Sequence, residues 1–159
     1  MTRLLKFRPD PAPDWHPHVT VAALVERDGR FLMIEESCNG RVVVNQPAGH
    51  LEEGESLEEA LVRETLEETA WSVRPEAITG LYQWRNPGNG KTYLRVCYAA
   101  RCVEQHDRAL DKDILRVMWL SREEILRRGQ QLRSPMVLQC LDDYLAGRRI
   151  SLEFAQHLP

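Results

Sequence analysis

From His18 onward the chain reads as short apolar blocks separated by turn residues. His18 to Glu26 is β-branched and apolar, the pattern of a strand buried on both faces. Asp28-Gly29 predicts a hairpin turn, with Phe31 to Glu35 as the return strand. Val42 to Asn45 reads as a third strand, ended by Pro47 and Gly49. Ser56, with Glu59 three residues on, forms a capping box that starts a helix running to about Thr69. Ile78–Arg85 and Thr92–Val103 read as strands around the turn Asn86-Pro87-Gly88-Asn89-Gly90, and Arg116–Leu120 as another. Ser121 and Glu124 cap a short helix that stops at Gly129. The last helix is expected to start with Ser134 as N-cap and Pro135 as first helical residue, and to end at Gly147. Ahead of these elements, Pro9, Pro11, Pro13 and Pro17 exclude a helix. Residues 1–17 are therefore expected to form an extended arm and residues 18–159 one domain. The order β-β-β-α-β-β-β-α-α predicts an α/β fold with a mixed sheet.

Composition narrows the class. The 159 residues are 43 % apolar and 28 % charged, which suits a globular chain with a real core. No apolar run approaches the roughly 18 residues of a membrane helix, and the start lacks the apolar stretch of a secretory leader. Cys38, Cys97, Cys102 and Cys140 show no Cys-x-x-Cys spacing. Reduced thiols in a cytoplasmic protein are the expectation. The net charge of −3 predicts no general attraction to membranes or nucleic acid, and no basic run contradicts that. The mean hides an island, because Glu52 to Glu68 holds eight glutamates and a single base, Arg63. The oligomeric state is not legible, and a monomer is the default expectation.

Within the predicted helix, Glu64, Glu67 and Glu68 stand at i, i+3 and i+4 and share one face with Leu57, Ala60 and Leu61. Val62 and Leu66 fall on the opposite side, so the helix is expected to pack between layers. Carboxylates continuing a buried stripe repel one another unless protonated or paired. Arg63 is expected to compensate only one of them. A hard divalent cation resolves the conflict, and oxygen ligands suit Mg²⁺ or Mn²⁺ rather than Zn²⁺. A plainly solvated acidic face is the competing reading.

The stretch reads Gly49-x5-Glu55-x7-Arg63-Glu64-Thr65-Leu66-Glu67-Glu68-Thr69-Ala70-Trp71. It resembles the box of the Nudix hydrolases, Gly-x5-Glu-x7-Arg-Glu-U-x-Glu-Glu-x-Gly-U, where U is a bulky aliphatic residue. Gly49, Glu55, Arg63, Glu64, Glu67 and Glu68 match; Thr65, Ala70 and Trp71 depart. Ala70 replaces a glycine where a left-handed cap is expected, so an altered helix exit is expected. His18-Val-Thr-Val-Ala, Asn45-Gln-Pro-Ala-Gly-His-Leu-Glu52, Gln83-Trp84, Leu94-Arg95 and Leu132-Arg-Ser-Pro135 resemble the NudJ branch of that family.

The resemblance implies an α/β/α sandwich and a Mg²⁺-dependent hydrolase of small phosphoanhydrides, with Mn²⁺ an alternative. The branch implies a phosphatase releasing orthophosphate from nucleoside tri- and diphosphates and from hydroxymethylpyrimidine pyrophosphate. By the same match Glu64, Glu67 and Glu68 hold metal with the Gly49 carbonyl. Glu64 or Glu68 takes the proton of the attacking water. Arg63 orients a glutamate, and Glu55 ties the preceding loop to Arg63. Asp111 or Asp113 is a candidate for a further acidic group, with a polar turn as the alternative. Arg95 and Arg133 are candidates for phosphate contact, the latter beside a helix start. Tyr82, Trp84 and Tyr93 are candidates for stacking on a ring, with core packing as the alternative. His18 and His50 are near the site but are not expected to bind metal, and His50 is expected to hydrogen-bond within its loop. Two other functions stay open: cleavage of a nucleoside diphosphate linked to another moiety, such as ADP-ribose, and nucleotide sensing without catalysis. The complete Arg63-Glu64 and Glu67-Glu68 pairs argue against the sensor.

Overall fold

A computed structural model describes residues 14–158. The proposed arm lies mostly outside the described residues; its last part, Asp14 to Pro17, is a turn and coil leading into the first strand. The strands are β1 (His18–Arg27), β2 (Arg30–Cys38), β3 (Arg41–Asn45), β4 (Ala48–His50), β5 (Trp71–Arg85), β6 (Thr92–Gln105) and β7 (Ile114–Leu120). The helices are α1 (Leu57–Thr69), α2 (Arg122–Arg127) and α3 (Met136–Leu145), with single 3₁₀ turns at Gly129–Gln131 and Leu152–Phe154.

The strand order is β3-β2-β1-β6-β5, with β4 also pairing β1 and β7 pairing β2. Only β1 and β6 run parallel, from His18 opposite Tyr93 to Val25 opposite Ala100, so the sheet is mixed as expected. Strand β1 is central, and its two parities feed two cores. Ala22 and Leu24 pack with Val137, Cys140 and Leu141 of α3. Val21, Ala23 and Val25 pack with Ala60 and Leu61 of α1. This double burial explains the unbroken apolar run of β1 and makes the molecule an α/β/α sandwich. Helix α1 buries one face, with Val62 half-buried against the same core.

Four local readings are corrected by the structure. Strand β4 was hidden by Pro47 and Gly49, which punctuate most sequences. Here the Pro47 carbonyl accepts the Ala23 N–H at 2.9 Å, and β4 continues that ladder. Strand β5 begins at Trp71 rather than Ile78, because a register shift between Pro75 and Ala77 absorbs the proline on an edge strand. Ser134 does not cap α3; Pro135 sits at the cap position and the Ser134 hydroxyl has no partner among the described residues. Ala70 does not alter the exit of α1. It adopts the left-handed conformation itself (φ 61°) and donates its N–H to Leu66 at 2.9 Å, at a steric cost of about 1–2 kcal/mol.

The loop between β6 and β7 crosses that exit. His106 N–H bonds the Ala70 carbonyl at 2.8 Å, and Asp111 N–H bonds the Glu67 carbonyl at 3.0 Å. These bonds satisfy carbonyls at and just beyond the helix end and bring Asp111 to the glutamates.

Candidate active site

The Ser56–Glu59 capping box forms in both directions, so α1 starts where the sequence predicts. Its second half carries the acidic cluster. Arg63 is the hub of that cluster. Its Nε and Nη2 grip the Glu55 carboxylate at 3.0 and 2.7 Å. Its Nη1 reaches Glu64 at 2.9 Å and Glu67 at 3.2 Å, and Nη2 donates to the His50 carbonyl at 3.0 Å. Glu52 lies 3.9 Å away. The expectation that Arg63 compensates one carboxylate is therefore too low. The guanidinium fork presents five donors in a plane, and the loop and helix wrap around it. Glu55 also accepts the Glu52 N–H at 2.7 Å, so it ties the loop to Arg63 as expected. The Arg63 hydrogen bonds hold the Glu55 carboxyl below the usual range, and those of Glu55 raise Arg63.

Glu64 and Glu68 are strained in the opposite direction. Burial raises Glu64, opposed by Arg63 and reinforced by Glu67 and Asp111. Glu68 is 7 % exposed, and its Oε2 accepts the Ala48 N–H at 2.8 Å. Burial pushes it up to about 9, with Glu36, Glu64 and Asp111 adding repulsion. Glu68 is therefore protonated at neutral pH in the metal-free protein. A Cβ added at Gly49 would coincide with the Glu64 carboxylate, so any larger residue there would displace that carboxylate from its present position.

The donor set fits a hard divalent cation. It consists of carboxylate oxygens with surplus negative charge, beside a backbone strand that touches one of them. Among the described residues no three acidic, histidine or cysteine side chains are already gathered at coordinating distance. Arg63 holds one oxygen each of Glu64 and Glu67, and Ala48 holds one of Glu68, which leaves the second oxygen of each carboxylate for a cation.

Glu64 and Glu68 of the acidic cluster line a cleft of about 630 Å³. Gly49, Glu64, Glu68, Trp84, Tyr93, Arg95 and Arg133 all line it. Trp84 and Tyr93 stack with ring centres 6.1 Å apart at 27°. His18 packs on Tyr93 at 5.3 Å and on His50 at 5.5 Å, extending the aromatic wall. The expected loop hydrogen bond of His50 is made by its carbonyl, while its exposed ring lines the cleft. Burial first, then His18, Lys91 and Arg133, lower the His50 pKa.

Other candidates separate. Arg133 is exposed and paired with Glu36 at 3.1 Å. Asp113 does not line the cleft; its backbone carbonyl accepts the Ser37 N–H at 2.8 Å, whereas Asp111 is the aspartate beside the glutamates. Tyr82 donates to the buried Asp143 at 2.8 Å and serves the core rather than a ring. Sequence reasoning missed Glu36, Thr20, Asn45 and Gln46. Glu36 follows the apolar run of β2 yet keeps its side chain 14 % exposed, a conflict readable only once β2 is known to run on to Cys38.

The sequence of residues 14–140 matches the NUDIX domain family. The chain is 43 % identical over 141 residues to phosphatase NudJ of Escherichia coli (strain K12), covering 86 % of this chain and 89 % of that protein. Phosphatase NudJ of Shigella sonnei (strain Ss046) is equally similar, at 43 % over the same shares. A NUDIX hydrolase from Nitrosomonas europaea superposes with a TM-score of 0.89 at 46 % identity, covering 90 % of this chain and 98 % of that one. Among the described residues no helix is long and apolar enough to cross a membrane. The chain belongs to the Nudix hydrolases, and it is a hydrolase acting on phosphoanhydrides.

Proposed function

We propose that this enzyme is a Mg²⁺-dependent phosphatase of the NudJ type, with Mn²⁺ able to substitute. It releases orthophosphate from nucleoside tri- and diphosphates and from hydroxymethylpyrimidine pyrophosphate. The observation that carries the metal reading is the buried, repelled Glu68, which lines the cleft with Glu64 and Gly49. The phosphatase reading is supported by the similarity to proteins named phosphatase NudJ.

Glu64, Glu67 and Glu68, with the Gly49 carbonyl, would hold the cation. When bound, it neutralises phosphoanhydride charge and makes water a better nucleophile. Glu64 or Glu68 accepts the proton released by the attacking water. Arg63 positions Glu64 and Glu67, and Glu55 positions Arg63. Asp111 contributes negative charge from the opposing loop. Tyr93 and Trp84 offer a flat wall for a ring, and Arg95 offers positive charge.

Phosphorus NMR of products tests this reading with GTP, GDP, hydroxymethylpyrimidine pyrophosphate, ADP-ribose and triphosphorylated RNA. Orthophosphate from the first three is expected. Pyrophosphate from GTP, or cleavage confined to ADP-ribose or RNA, would discard the phosphatase assignment.

A further inference from the structure

Five buried side-chain polar atoms lack a hydrogen-bond partner among the described residues: Thr20 Oγ1, Asn45 Oδ1, Arg95 Nε, Tyr98 OH and Ser134 Oγ. Four of the five belong to residues lining the same cleft as Glu64 and Glu68. Buried polar groups are normally satisfied, and each orphan costs about 1–3 kcal/mol. Such a concentration at one surface marks a place built for a ligand's polar atoms.

The strand register locates these residues. Thr20 of β1 stands opposite Arg95 of β6 and also opposite His50 of β4. The next pair in the same parity, Ala22 and Cys97, packs against α3. Thr20 and Arg95 therefore share the sheet face under the cleft, between the aromatic row of His18 and Tyr93 and the α3 core. Ser134, just before α3, borders the same space. Two strand spacings, about 10 Å, separate Arg95 from the β4 segment that carries Gly49.

Arg95 is the decisive member. It is 5 % exposed, and no carboxylate pairs with it among the described residues. One N–H reaches the neutral Gln46 Oε1 at 3.4 Å, and Gln46 is itself fixed to the Val137 carbonyl at 2.7 Å. Water could satisfy the two hydroxyls, but a permanently charged buried guanidinium calls for an anion. Asn45 is set apart from this group. Its amide donates to Glu36 at 3.3 Å, which leaves its oxygen as an acceptor that an anion avoids.

We propose that Thr20, Arg95 and Ser134 form an oxyanion subsite that holds a second anionic group of the substrate, independently of any metal at the glutamates. This placement rests on the function proposed above, since it assumes that the cleft takes a phosphoanhydride.

Calorimetric titration of the full chain with inorganic pyrophosphate in excess chelator tests it, with chloride at equal ionic strength as control. Saturable binding to the wild type is expected. Arg95→Met should weaken it at least about tenfold, the loss of one charge-assisted contact. Thr20→Val combined with Ser134→Ala should weaken it several-fold, and Arg95→Lys should restore part of it. Thermal melts give a second readout: Arg95→Met should keep or raise Tm, because an unpaired buried charge is removed. No pyrophosphate binding by the wild type would overturn the subsite, as would unchanged affinity in Arg95→Met, with or without a fall in Tm. Turnover does not enter this assay, so an inactive enzyme that binds pyrophosphate would count against the proposed function and not against the subsite.

Discussion

Two arginines, Arg63 in the acidic cluster and Arg95 in the wall of the cleft, carry the same charge in opposite surroundings. Arg63 contacts Glu55, Glu64 and Glu67 within 3.2 Å, with Glu52 at 3.9 Å. Arg95, more deeply buried, has a neutral amide as its neighbour and an unpartnered Nε. The surroundings of Arg63 hold more anion than it can neutralise, and among the described residues no anion pairs with Arg95. A buried arginine surrounded by carboxylates is internal scaffolding, whereas one left unpaired beside a cleft leaves a charge for a ligand to complete. The difference also explains why the acidic cluster retains strain. Arg63 serves the outer carboxylates, and Glu68, bonded to Ala48, is left to hold its proton.

The largest effect that would break this contrast is catalytic. Glu64→Gln should leave the fold intact and lower turnover about a thousandfold or more, measured as orthophosphate release. Near-normal turnover would remove the acidic cluster from the chemistry. The two arginines should then differ in stability. Arg63→Met should cost about 3–5 kcal/mol in denaturant unfolding, because it abandons partly buried carboxylates, while Arg95→Met costs nothing measurable. Equal losses would erase the distinction between them.

The acidic cluster should also be visible in pH dependence. Folded Glu68 keeps its proton to about 9, while the unfolded chain releases it near 4.5. Between those values the folded state binds more protons, so metal-free stability should fall as pH rises through that window. Glu68→Gln should flatten the fall and stabilise the metal-free protein at pH 8. A flat wild-type profile would contradict the burial argument. The smallest effect concerns the helix exit. Ala70→Gly should raise stability by about 1 kcal/mol by relieving a left-handed alanine.

Much of this arrangement was legible before the structure, for a local reason. The α1 start needs only Ser56 and Glu59 three residues apart, and the glutamate face needs only helical spacing. Strand β1 announces itself because both of its faces are buried. What escaped depends on partners distant in sequence. Strand β4 exists because the Pro47 carbonyl and Gly49 meet β1, and Gly49 is small because of Glu64. Ser134 has the residue type of a cap, yet the chain leaves it facing other needs. The four-carboxylate surround of Arg63 and the carboxylate-free surround of Arg95 are invisible in a string, where both are single basic residues. Glu36 and Thr20 entered the cleft only through strand register.

We propose that the acidic cluster is a metal site held ready by a protonated Glu68. Calorimetric titration of the enzyme with Mg²⁺ at pH 7.5, in two buffers of different ionisation enthalpy, tests it most directly. Saturable binding with release of about one proton per site is expected, a release that Glu68→Gln abolishes. Absence of Mg²⁺ binding, or binding without proton release, would contradict it.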